Sequence, residues 1–93
     1  MITKYVGVDK PDGTAVFPLV FRRHGSDSFE AHFAIDVFNF IARVFRPDRE
    51  VAFFTFVSLD GRMVFQGEYL DATKACEACA KAIDRALRIR LWP

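Results

Sequence analysis

Cysteine is scarce in this 93-residue chain: Cys76 and Cys79 are the only two. That is too few for a disulfide framework and points to a reduced, cytoplasmic protein. Long hydrophobic runs are missing too. No stretch approaches the roughly 20 apolar residues that span a bilayer. The opening Met1-Ile2-Thr3-Lys4-Tyr5 lacks the basic start and unbroken apolar run of a signal peptide. An excess of charge of one sign is also missing. Thirteen basic and twelve acidic side chains leave a net charge of +1. The whole-chain charge therefore makes no case for nucleic acid or for an anionic membrane surface.

What the chain does have is aromatic bulk. It is 52% hydrophobic and 15% aromatic, with eleven Phe. A disordered chain does not carry such a composition. Residues 1–93 read as one α+β domain near the lower end of single-core size.

The most telling stretch is residues 51–70. Two strand-like runs flank Asp60-Gly61, a dipeptide suited to positive φ, and so predict a tight β-hairpin. Residues 2–8 and 14–22 predict an earlier hairpin around Asp9–Gly13, with Pro18 marking an edge or a bulge. Residues 27–46 carry two patterns. Phe29, Ala31, Phe33, Ile35 and Val37 alternate as in a strand, whereas Phe29, Phe33, Val37, Phe40, Ile41 and Val44 form a helical stripe. Asp27 with Glu30 resembles a capping box and Pro47 a stop, so a helix over 28–46 is expected. The alternative is a strand over 28–35 with a shorter helix from Asp36, which makes five strands. The last helix is clearer. Asp71 is its N-cap, and Ala72, Ala75, Cys76, Cys79, Ala80, Ile83, Ala86 and Leu87 form one apolar side up to about Ile89.

The expected fold is therefore a two-layer α+β sandwich, a ββαββα pseudo-repeat. In it a four-stranded antiparallel sheet carries two helices on one face. A two-residue loop at Asp60-Gly61 puts Ala52, Phe54, Phe56, Ser58, Met63, Phe65, Gly67 and Tyr69 towards the helices. Tyr5, Phe17, Leu19 and Phe21 join them from the first hairpin. The other face then collects Val6, Val16, Val20, Val51, Phe53, Val57 and Val64. So large an apolar face on a soluble monomer is uncommon. Three explanations compete: different registers, a symmetric dimer packed sheet on sheet, or a small-molecule or peptide site.

Motifs with chemistry are few. Cys76-Glu77-Ala78-Cys79 is a CxxC with no second CxxC or HxxxH, and only His24 and His32 could complete a zinc site. Cys76 lies about a turn inside the helix rather than at its N-terminus, where a redox thiol belongs. Both thiols read as core residues, and no metal or cofactor is expected. His32, Asp36 and Asn39 would lie along the first helix, without a nucleophile nearby, and read as a solvated face. Three basic groups stand out: Arg22-Arg23-His24, Arg43 with Arg46 and Arg49, and Lys81 with Arg85 and Arg88. Asp48, Glu50, Glu77 and Asp84 dilute them, which argues against phosphate binding. Phe54-Thr55-Phe56-Val57 resembles the aromatic strand motif of RNA-recognition domains, but the preceding basic residue and Gly are absent and a hairpin follows.

The reading is a non-enzymatic, cytoplasmic interaction module working as a homodimer, with Val51, Phe53, Val57, Val64, Val6 and Val16 at the interface. The alternative is a small-ligand binding protein with an aromatic-lined cavity, and nucleic-acid binding comes after it.

Overall fold

The computed structural model describes residues 1–10 and 13–91. Pro11 and Asp12, read above as part of the first hairpin loop, lie outside the described residues. The chain forms β1 (Ile2–Lys10), β2 (Gly13–Arg23), β3 (Ser28–Ile35), β4 (Phe38–Phe45), β5 (Phe53–Leu59), β6 (Arg62–Tyr69) and α1 (Ala72–Leu91). Each strand pairs antiparallel with the next, so the sheet runs β1-β2-β3-β4-β5-β6. The expected four strands and two helices are thus corrected to a six-stranded antiparallel sheet with a single C-terminal helix. The five-stranded alternative falls with them, because its short helix from Asp36 is instead a turn and the strand Phe38–Phe45.

The error sits in residues 28–45. They form a hairpin whose two-residue turn is Asp36-Val37, with Ile35 paired to Phe38. Phe29, Ala31 and Phe33 are buried on one strand, and Phe40, Ala42 and Val44 on the other. Each strand alternates with period two, and the turn resets the phase between them. Phe29, Phe33, Phe40 and Val44 then sit at spacings of four, seven and four, which also suit a helix. Asp36 adopts φ 55° and Val37 is 72% exposed, so neither belongs to a continuous apolar stripe. Composition favours the strands: five Phe, two Val and two Ile occupy these positions, with no Leu, Lys, Met or Gln.

The helix is built as its sequence suggests. The Asp71 side chain accepts from the Thr73 N–H at 2.9 Å, and its carbonyl from the Ala75 N–H at 3.0 Å. Ala75, Cys76, Cys79, Ala80, Ile83, Ala86 and Leu87 are buried against the sheet. The helix continues past the expected stop at Ile89. Arg90 stays helical and donates to the Ala86 carbonyl at 3.1 Å, satisfying a group near the helix end.

The helix touches β1, β4, β5 and β6, although β1 and β6 are opposite edges of the sheet. The sheet therefore curls around it. The bend falls between β2 and β3, whose pairing is limited to Arg22–Glu30 and Arg23–Phe29. The His24 N–H bonded to the Ser28 carbonyl sets the parity of this ladder. By alternation, Arg22, Val20 and Pro18 turn their backbone groups towards β3. Pro18 has no donor to offer there, and the two strands part.

The core lies between the concave side of the sheet and α1. Val6, Leu19, Phe21, Phe40, Val44, Val57, Ile83 and Leu87 are its most buried large side chains. Phe33 bridges β2 and β4, with ring centroids 6.2 Å from Phe17 and 6.4 Å from Phe40. Thr55 is the one buried polar residue among those described, and its hydroxyl donates to the Gly67 carbonyl at 3.2 Å. Gly67 is tightly flanked: a Cβ there would meet Tyr69 at 3.0 Å and both Phe65 and Thr55 at 3.3 Å, so these side chains would have to shift to admit one. Among the described residues no helix is long and apolar enough to cross a membrane.

Candidate interaction surface on the helix-free face

The other side of the sheet carries no helix, and its residues follow from the registers. Asp60 and Gly61 adopt φ 49° and 87°, the pattern of the expected tight turn. However, a β-bulge at Val57/Ser58 interrupts the second hairpin. Val57 pairs with Phe65 rather than Val64, and Val64 is left as the extra residue. This one-residue shift inverts β5 relative to β6. Phe53, Thr55, Val57 and Leu59 face the core, while Phe54, Phe56 and Ser58 face away.

A similar slip affects β1. Val6 pairs with Phe17 and Tyr5 with Pro18, so Val6 is buried and Tyr5 is 62% exposed. The six residues assigned to an interface from sequence therefore do not share a surface. Val6, Phe53 and Val57 lie in the intramolecular core. Val16 lies exposed on the helix-free side of β2, Val51 is exposed ahead of β5, and Val64 lies beside the second half of α1. Val20 remains on the helix-free side as expected.

The residues that do share that side form a regular array. Cross-strand pairs put Phe45 opposite Phe54, Arg43 opposite Phe56, and Ile41 opposite Ser58. The next strand adds Glu68 beside Phe54, Gln66 beside Phe56, and Met63 beside Ser58. Glu30 and His32 flank the array from β3. Its centre is aromatic. The Phe45 ring stacks on Phe56 at 5.7 Å and 15°, and packs against Phe54 at 6.1 Å and 33°. All three rings are half-buried. Ile41, Arg43, Phe45, Phe56, Ser58 and Met63 rim an open depression of about 420 Å³.

One flank is polar. Glu30 Oε1 lies 2.7 Å from His32 Nε2, and Oε2 lies 3.2 Å from Arg43 Nε. The His32 hydrogen bond outweighs the opposing desolvation by burial and, joined by the weaker pull of the Arg43 charge, holds the Glu30 carboxyl below its ordinary 4.5. This ties β3 to β4 at the surface and fixes Arg43 next to Phe56. His32, Asp36 and Asn39, expected along one helix face, are dispersed: Asp36 is in the turn, and Asn39 reaches Asp60 at 3.5 Å.

Neither thiol reaches this surface. Both cysteines are free and buried under the sheet. Burial pushes the Cys76 thiol up to about 11 and the Cys79 thiol up to about 12. Both are therefore protonated at neutral pH and pack in the core as small apolar side chains. Among the described residues no three His, Cys, Asp or Glu side chains cluster as a metal site.

Sequence reasoning missed Phe45, Phe54, Phe56, Arg43 and Met63 as surface partners. A signal was present in Leu59. Counting it with Val57, Thr55 and Phe53 makes that side of β5 the more uniformly apolar one and sends Phe54 and Phe56 outward. Comparison with known proteins finds no matching family model, no similar curated protein and no similar solved structure.

Proposed function

We propose that this chain is a non-enzymatic interaction module that works as a homodimer, two copies packing sheet on sheet through their helix-free faces. The observation that supports this most is the Phe45–Phe54–Phe56 cluster at the centre of a face that the chain leaves uncovered. The rings are already half-buried, so completing the burial of one contributes about half of the roughly 1.5–3 kcal/mol of a full transfer, offset by the entropy lost on association. The array is self-complementary. A two-fold axis along the strands, between β4 and β5, brings Phe45 onto the partner's Phe54 and Arg43 onto the partner's Phe56. The first contact extends an aromatic cluster across the interface, and the second is a cation–π pair. A net charge of +1 adds little repulsion between copies. Two buried, unpaired thiols suit a reducing compartment, and we assign the protein to the cytoplasm.

The depression rimmed by Ile41, Phe45, Phe56 and Met63 favours a second reading, a site for a small apolar ligand. Nucleic acid fits less well. Aromatic rings on a sheet can stack bases, but Glu30 and Glu68 border these rings and Arg43 is already paired.

Light scattering on the parent and on Met63→Glu separates the readings. Met63 is 56% exposed, so the substitution leaves the fold intact in a monomer. The dimer reading expects a dimeric parent and a folded, monomeric variant. A monomeric parent rejects it and leaves the ligand site.

A further inference from the structure

The strand β6 ends the meander and, among the described residues, pairs with β5 alone. Its free edge therefore presents backbone N–H and C=O groups without a backbone partner among the described residues. Such an edge is a template for another strand unless charges, Pro or a bulge blunt it. Here the bulge sits at the beginning, at Val64, and the regular run from Phe65 to Tyr69 contains Glu68 as its only charge. Alongside this strand runs a groove of about 240 Å³ between β6 and the second half of α1. Its apolar lining comes from Val64, Phe65, Ala82 and Ile89, with Val64 36% and Ile89 65% exposed. Arg85 and Arg90 supply the charge. Arg85 is exposed and makes no ion pair among the described residues, and Arg90 donates one N–H to the Ala86 carbonyl.

We propose that the β6 edge and this groove accept an extended, acidic segment of a partner protein as an added strand. Main-chain hydrogen bonds to β6 would hold the segment. Its alternate side chains would reach the groove, apolar ones against Val64 and Ile89, carboxylates against Arg85 and Arg90. Charge decides between this occupant and a second copy. An antiparallel β6–β6 pairing about a two-fold axis normal to the sheet puts both helices on the same side. Arg85 and Arg90 would then approach the cations of the other copy, whereas an acidic strand meets them favourably. The proposal is independent of the dimer above, because the edge and the helix-free face are different surfaces.

The test is fluorescence anisotropy with a short labelled peptide in which every second residue is serine and the residues between them alternate glutamate and valine, so that one face of the strand carries both (the Glu–Val peptide), and amide NMR to locate it. Saturable binding is expected, with shifts at 64–69 and 82–90. A lysine–valine peptide should bind at least about tenfold more weakly, and so should the Glu–Val peptide to Arg85→Glu, one decade being about 1.4 kcal/mol. A peptide N-methylated at alternate residues should lose binding, because it cannot complete the ladder. Arg85 is exposed, so its replacement leaves the fold in place, which far-UV circular dichroism verifies. Equal binding of the lysine–valine peptide, indifference to Arg85→Glu, or shifts confined to Phe45, Phe54 and Phe56 would each overturn the proposal. Concentration-dependent shifts along β6 without peptide would overturn it too, by showing that a second copy occupies the edge.

Discussion

The two faces of this sheet are built from much the same residue types but meet different fates. On the covered face, Phe40, Val44 and Val57 lie fully buried against Ala, Cys, Ile and Leu side chains of α1. The polar Thr55 among them is tied to the Gly67 carbonyl. On the other face, Phe45, Phe54 and Phe56 pack against each other and stay half-wet, held between Arg43 and Glu68. Phe53 and Phe54 are neighbours in sequence and differ only in the side of the sheet they take. Hydrophobicity says that a residue prefers burial, and register says which burial it gets. The covered face completes its burial within the chain. The open face does not, and there the functional reading rests.

Truncations give the largest contrast. Phe40→Ala should destabilise the fold by about 3–5 kcal/mol, because it opens a cavity that the neighbouring Phe33 and Leu59 close only in part. Phe54→Ala should cost the monomer only about 1 kcal/mol, because its ring is half-exposed already. Urea unfolding of both variants, at a protein concentration where the parent is monomeric, checks this. Equal losses would break the distinction between the faces.

Reactivity sharpens the comparison on the covered side. With thiols pushed up to about 11 and about 12, Cys76 and Cys79 should react with iodoacetamide at pH 8 only after the protein unfolds. The linkage has a definite sign. The folded values lie above the ordinary 9.0, so the unfolded chain loses its thiol protons first as pH rises. Stability is retained below pH 9.0 and falls as pH climbs from 9.0 towards about 11. Fast labelling of either cysteine in the native protein would place α1 differently.

Local signals in the sequence reported local structure faithfully. Asp60-Gly61 gives the turn, Asp71 the helix cap, and the Ala and Cys stripe the packed side of α1. Pairing was harder, because it depends on features without a local signature. The bulge at Val57/Ser58 moves one residue and thereby swaps Phe53 with Phe54 across the sheet. In residues 28–45 a two-residue turn makes two strands imitate one helix, and only the excess of Phe, Val and Ile argues otherwise. The idea of an uncovered apolar face was legible. Its members were not, since both sides of β5 are rich in apolar residues.

In the proposed dimer a second copy covers the open face. Isotope-filtered NOE spectroscopy on a mixture of labelled and unlabelled protein tests it most directly. Contacts between copies are expected from the Phe45 ring to the partner's Phe54 and from the Arg43 side chain to the partner's Phe56, with none from Phe53 or Val57. The absence of any contact between copies at millimolar protein, or contacts arising from α1 in place of Phe45 and Phe54, would contradict it.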